Sequence, residues 1–297
     1  VADIWPNFFV VGAAKAGTTS LYAYLKQHPQ IFLPKVKEPH FFTQVCPAPE
    51  MRHLYEAITD RPTYLSLFRK ARGYRAIGDA SPSYLWHPQA AERIRHAVSD
   101  ARIIITLRDP VERAHSHYLA DVREGVHELS FYEALRQDMA RPRKGWAVSL
   151  LYVELGQYAA QVQRYLELFG PKRVKVLLFD DLTRDSARVL SELALFLDVD
   201  PDVVARIDVN EVHNSYAAPR GKWARRLAGA KISRLLGKTV IPRSLGQLIF
   251  ERVLLTRAPK PRIEPDAKRL LCEIYEPDVR QLEVILGRPL PELRRSW

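Results

Sequence analysis

The chain has 297 residues, 47% of them hydrophobic and 10% aromatic, enough for a sizeable core, which excludes disorder and disulfide scaffolding as organising principles. The net charge of +11 is concentrated in residues 217–262, where twelve Lys/Arg face Glu251 alone, so the remaining positions are neutral in sum. A basic stretch of this kind points either to an anionic partner or membrane surface or to an ordinary solvated face.

In chain order, Asn7–Val11 reads as a short buried strand that runs through a glycine-containing turn into a helix over Thr18–Gln27. Further strands are predicted at Arg75–Gly78, Ile103–Leu107 and Val174–Phe179. Helical patterns lie between and after them: Pro88–Val98, Pro110–Arg123, Phe131–Met139, Gln157–Phe169 and Ser186–Leu197. Strands alternating with helices predict an α/β fold with a mostly parallel sheet flanked by helices, whose ligands gather at the carboxyl ends of the strands. Beyond residue 210 the pattern turns to basic amphipathic helices, Lys222–Gly237 and Leu245–Leu255, and a final helix around Asp266–Leu286. The expectation is one domain over 1–297, with a donor-binding core at about 7–200 and a basic, helical acceptor or closing region at about 210–297.

No apolar run approaches the roughly 20 residues of a membrane span. Val1–Asn7 lacks the basic and apolar regions of a signal peptide, and the absence of an initiator Met points to a trimmed start. Cys46 and Cys272 form no CxxC pair; one disulfide stays open, and a reduced, cytoplasmic protein is the simpler expectation.

The segment Gly12–Ser20, GAAKAGTTS, joins the first strand to its helix. Small residues let backbone N–H groups turn toward an anion, the helix N-terminus adds its positive end, and Thr18, Thr19 and Ser20 supply hydroxyl donors. A Walker A loop has Lys directly after its second glycine. Here Thr18 follows Gly17 and the lysine stands inside the loop as Lys15, where it would meet a shorter anionic terminus than a γ-phosphate. At the end of the strand 103–107, Arg108 is followed by Asp109, a helix cap, and Pro110, suited to a first turn. Ser116 falls about two turns on, roughly on the face shared by Glu112 or Arg113.

The stretches FFVVGAAKAGTTSLYAYLKQHPQI with KEPHFF, RIIITLRDPVERAHSHY, and VKVLLFDDLTRDSARVLSELALFL resemble, in order, motifs of the PAPS-dependent sulfotransferases, in particular the heparan-sulfate-type carbohydrate branch and its bacterial relatives. The resemblance implies a P-loop-like fold and sulfuryl transfer from 3′-phosphoadenosine 5′-phosphosulfate (PAPS), releasing PAP, without a metal. It assigns Lys15, Ala16, Gly17, Thr18, Thr19 and Ser20 to the 5′-phosphosulfate, and Arg108 and Ser116 to the 3′-phosphate. Glu38 becomes the general base and His40 an orienting or acceptor-binding group. Arg220 and Gly221 match a basic turn closing over the nucleotide. Pro39 predicts an extended backbone at Glu38, and aromatic neighbours predict a raised carboxyl pKa.

Two departures mark the acceptor side. Thr43 stands where glycan enzymes often carry Asp, and Ala80 replaces a Lys that follows an acidic residue, leaving Asp79 as a secondary candidate for acceptor contact. The expected acceptor is a hydroxyl of a small molecule, glycan or lipid-linked compound, with peripheral membrane contact through 217–262 and no nucleic acid. His115 and His117 read as helix-surface histidines, and Asp180–Asp181 as a Walker B imitation in which Asp181 caps a helix. The rival readings are a nucleotide kinase or NTPase and a basic nucleic-acid or membrane binder.

Overall fold

The computed structural model describes residues 3–45, 57–141, 150–209, 217–219, 255–257 and 259–297. Its centre is a five-stranded sheet of β1 (Phe8–Gly12), β2 (Ile31–Phe32), β3 (Ala76–Ala80), β4 (Arg102–Leu107) and β5 (Val174–Leu178). The order is β2-β3-β1-β4-β5, and every pairing is parallel. A parallel sheet needs crossovers that cover both faces, so its central strand β1 is apolar throughout rather than alternating, while Asp79, Arg102 and Lys175 interrupt the apolar runs of β3, β4 and β5. Accordingly Phe8, Phe9, Val10 and Val11 are all fully buried. The two-residue period sends Phe8, Val10 and Ile104 to one face and Phe9, Val11, Ile103 and Ile105 to the other.

On the first face pack α1 (Thr18–Leu25) and α9 (Ser186–Leu197), through Leu21, Leu25, Leu190 and Leu193. On the second lie α2 (Arg61–Ser66), α3 (Ser83–Trp86), α4 (Ala90–Ala97) and α7 (Tyr158–Phe169), through Tyr64, Leu85, Ile94 and Tyr165. The remaining described helices are α5 (Pro110–Arg123), α6 (Phe131–Ala140), α8 (Phe179–Arg184) and α10 (Pro265–Leu286). The helix starts follow local chemistry. Asp60 caps α2, Ser130 and Glu133 form a reciprocal capping box on α6, and Asp185 caps α9.

The last helix is built into the core. Val279 and Leu282 join the cluster on the second sheet face, and Tyr275 packs where Gly156 has no side chain. Asp278 caps α7 by accepting from the Tyr158 and Ala159 amides at 2.6 and 3.2 Å. Further on, the Ser296 amide donates to Asp109 Oδ2 at 2.7 Å.

Short antiparallel strands β6 (Ala217–Pro219) and β7 (Leu255–Arg257) form a second, two-stranded sheet where a loop and the end of a helix are predicted. The predicted helices Lys222–Gly237 and Leu245–Leu255 otherwise lie outside the described residues, as do Cys46, Arg220 and Gly221. Among the described residues no helix is long and apolar enough to cross a membrane.

Candidate active site

The turn after β1 carries Lys15 at φ 67° and Gly17, the residue before α1, at φ 86°. A Cβ on Gly17 would stand 2.8 Å from the Phe179 ring, so both the left-handed backbone and the close approach require glycine. No side chain caps α1 and no acidic residue sits in its first turn, which leaves the N-terminal N–H groups for an anion. Ala16 and Thr18 are buried, Thr19 and Ser20 half-buried. Gly17→Ala is expected to cost roughly 1–3 kcal/mol through overpacking. Chemical denaturation would show this as a lower midpoint at constant slope; an unchanged midpoint would mean the loop relaxes freely.

Arg108 emerges from the end of β4 beside this turn. Asp109 caps α5 by accepting from the Val111 and Glu112 amides at 2.9 and 3.1 Å, and Pro110 begins the helix. The Arg108 guanidinium donates to Ser116 Oγ at 3.2 Å and to Glu112 Oε2 at 3.0 Å, and lies 4.7 Å above the Phe179 ring. Its Nη1 also lies 3.5 Å from the Lys15 carbonyl oxygen, joining the start of α5 to the turn after β1. Lys260, which sequence reasoning did not select, reaches Glu112 Oε2 at 2.6 Å. Burial pushes the Glu112 carboxyl up, but the Lys260 hydrogen bond and charge and the Arg108 charge together hold it below its ordinary value. Glu112 thus pins two cations that a phosphate can claim.

The bend Lys37–Phe42 hangs on the end of β3. The Glu38 amide donates to the Ala80 carbonyl at 3.2 Å and the His40 amide to Ser81 Oγ at 3.2 Å. These tethers fold the chain tightly, so Glu38 and His40 sit at φ 60° and 54°, in contrast to the extended backbone predicted at Glu38. Left-handed geometry costs a non-glycine residue roughly 1–2 kcal/mol. Such strain concentrates at functional sites.

The half-buried Glu38 carboxylate pairs with the Lys37 ammonium, and its Oε2 lies 3.7 Å from His40 Nε2. Burial raises the Glu38 pKa, yet the charges of Lys37, His40 and Lys15 outweigh it, and the net shift is downward rather than the predicted rise. Burial takes His40 down to about 4, against the pull of Glu38, so its ring is neutral near pH 7; its Nδ1 lies 2.7 Å from Ser83 Oγ. Lys15 lies near enough to Glu38 for their charges to interact. It stays solvent-accessible, but crowding by protein lowers its ammonium pKa, Arg123 adds to this, and Asp121, Glu38 and Glu124 oppose it.

Other expectations are corrected. Asp79 is completely buried and its carboxylate accepts from Ser81, Tyr64 and Tyr84, so it cannot touch an acceptor. Thr43 Oγ1 donates to the His40 carbonyl at 2.8 Å, inside the bend. His115 and His117 are buried rather than on the helix surface, because α5 is covered on most of its circumference; burial lowers His115 to about 4 and His117 well below its ordinary value. Asp181 caps no helix with its side chain: it faces Arg188 at 3.7 Å, while Asp180 accepts from Arg295 at 3.0 Å.

A P-loop-like α/β fold with a lysine in the turn after β1, a hydrogen-bonded Arg108–Ser116 pair and a tethered carboxylate therefore defines the class, and comparison with known proteins defines the family. The sulfotransferase domain family matches residues 6–234, and the chain belongs to that family. It is 34% identical to a sulfotransferase from Alicyclobacillus acidocaldarius of known crystal structure, over 98% of this chain and all of that one, with a TM-score of 0.76. It is 27% identical, over 99% of its length, to the human bifunctional heparan sulfate N-deacetylase/N-sulfotransferase 3, of which it spans 32%. The fold is also that of mouse sulfotransferase SULT7A1, solved with PAP, at 15% identity and a TM-score of 0.51 over 94% of this chain and 86% of that one.

Proposed function

We propose that the protein transfers a sulfuryl group from PAPS to a hydroxyl of a small-molecule, glycan or lipid-linked acceptor, releasing PAP. The observation that carries this reading is that Arg108 reaches both Ser116 Oγ at 3.2 Å and the carbonyl of Lys15 in the turn after β1 at 3.5 Å, which brings the two stretches that would bind the donor's phosphates together. The residues present fit such a donor. Gly17 gives the turn its left-handed backbone ahead of an uncapped helix, Lys15 offers a cation inside the loop, and Arg108 can bind a phosphate with two parallel hydrogen bonds once Glu112 lets go. Lys260 is placed to join it. Membership of the sulfotransferase family, and a fold relative solved with PAP, support the donor. The acceptor class is supported by the heparan sulfate and carbohydrate sulfotransferases among the relatives.

In this reading Glu38 takes the proton of the acceptor hydroxyl as its oxygen bonds to sulfur. The bond from sulfur to the bridging oxygen breaks, and the electron pair leaves with PAP. Lys15 and the loop N–H groups stabilise the charge that gathers there, and donors already aimed at developing charge supply the larger electrostatic share. Neutral His40 orients the carboxylate. Calorimetric titration with PAP, run beside ATP with magnesium, tests the donor. Tight PAP binding with weak ATP binding is expected; preference for ATP with magnesium would replace this reading with an NTPase.

A further inference from the structure

The buried end of β3 carries more polar chemistry than a sheet core requires. Asp79, Ser81, Tyr64 and Tyr84 are each fully enclosed. Ser81 Oγ donates to Asp79 Oδ1 at 2.8 Å, while the Tyr64 and Tyr84 hydroxyls both donate to Oδ2 at 2.8 Å. Two of these three hydroxyls also face the Glu38 bend. Ser81 Oγ accepts from the His40 amide at 3.2 Å, and the Tyr84 hydroxyl lies 3.5 Å from the Phe42 amide. A hydroxyl whose proton is committed to a carboxylate turns its lone pairs to the amide, so the carboxylate sets the direction of both tethers.

We infer that Asp79 is a positioning residue for sulfuryl transfer: through Ser81 and Tyr84 it holds the left-handed Glu38–His40 bend in the geometry that presents the Glu38 carboxylate to the acceptor. The inference rests on the function proposed above. It assigns Asp79 no contact with either substrate. The interior here is otherwise aromatic, with Phe41 stacked 4.1 Å from Tyr64 and Phe42 edge-on to Tyr64 and Tyr84 at 5.6 Å, so an apolar side chain at 79 would have packed without desolvating a charge.

Titration separates positioning from bulk stability. Burial raises Asp79 to about 6, opposed by its hydroxyl donors and reinforced by the Glu38 charge. The groups around it are Glu38 on the bend, with Lys37 and His40 beside that carboxylate, and the Tyr64 and Tyr84 hydroxyls from α2 and α3. Because the folded pKa lies above the unfolded one, this group favours the fold more as the pH falls from about 6 toward 4. Protonation nevertheless adds a fourth proton among three donors and removes the charge they point at, so the hydrogen bonds that hold the tethers weaken. Loosening of the bend below pH 6 would therefore run opposite to the stability change from the same group.

The test compares the wild-type chain with Asp79→Asn, Ser81→Ala, Tyr84→Phe and Ser81→Thr. Amide hydrogen exchange over residues 37–44, PAP affinity, melting temperature and the pH profile of PAPS consumption are measured on each. Positioning predicts faster exchange in that segment for Asp79→Asn, Ser81→Ala and Tyr84→Phe, with PAP affinity and donor KM retained. It also predicts kcat lowered by roughly tenfold or more, recovery in Ser81→Thr, and loss in Asp79→Asn of a wild-type limb near pH 6. If Asp79→Asn does not fold, the two single-tether variants decide. Unchanged exchange over 37–44 in both, or a wild-type profile flat through pH 6, overturns the inference. A wild-type chain that binds no PAP overturns the donor reading instead, and the exchange data then judge the tether on their own.

Discussion

Glu38→Gln is expected to lower turnover by roughly 10²–10⁴-fold, the usual worth of a general base, while PAP affinity stays near that of the wild type. The amide keeps the shape and the 3.2 Å backbone bond to Ala80, so the bend stays in place, but it cannot take a proton. Lys37 loses its carboxylate partner and His40 a charge 3.7 Å away, neither of which belongs to the Arg108 and Lys15 sites. The pH dependence carries a sign. With its pKa held below the ordinary 4.5, Glu38 keeps its base form into mild acid, and its own limb falls below that value. Its contribution to stability is likewise complete above the unfolded pKa and is lost as the pH drops through the folded one. Single-turnover kinetics across pH 3.5–8 check both points; near-normal turnover in the variant would remove Glu38 from the base role.

Lys15→Ala is expected to depress turnover by roughly 10²–10³-fold with every acceptor tried, the scale of losing one preorganised charge-stabilising donor. The loop backbone survives, since its shape depends on Gly17 and on the Ala13 and Ala16 packing rather than on the ammonium. PAP binding weakens less than turnover, because Arg108, Ser116 and the helix N-terminus remain. A panel of chemically unrelated acceptors makes the decisive measurement. A loss confined to one acceptor would place Lys15 on the acceptor side of the cleft.

The elements and side-chain placements were legible in the chain to different depths. β1, β4 and β5 are mainly apolar runs because the sheet is covered by helices, and their predicted limits fall within a residue or so of the observed ones. β2, with two residues, and α3, with four, are too short to show a period, and only neighbours define them. The Lys15 turn and the Arg108–Asp109–Pro110 start of α5 were readable because their chemistry is local. Lys260 was not, since it meets Glu112 across 148 positions. The left-handed Glu38 and the enclosed Asp79 escaped for the same reason: both arise from β3 and the bend lying against each other. The histidines of α5 misled because a helix buried on several sides shows no single apolar stripe.

Synthesis order gives the C-terminal helix a further meaning. All five strands of the central sheet have been made once residue 178 has emerged, yet α7 lacks its cap until Asp278, and Asp109 Oδ2 lacks its partner until Ser296. At roughly 5–20 residues per second, that interval lasts several seconds or more. During it the nascent sheet carries an uncovered apolar patch where Val279 and Leu282 will dock, and the residue beside Arg108 is only half tied. The surroundings of Arg108 are therefore completed late, only once the C-terminal segment has been made and has docked.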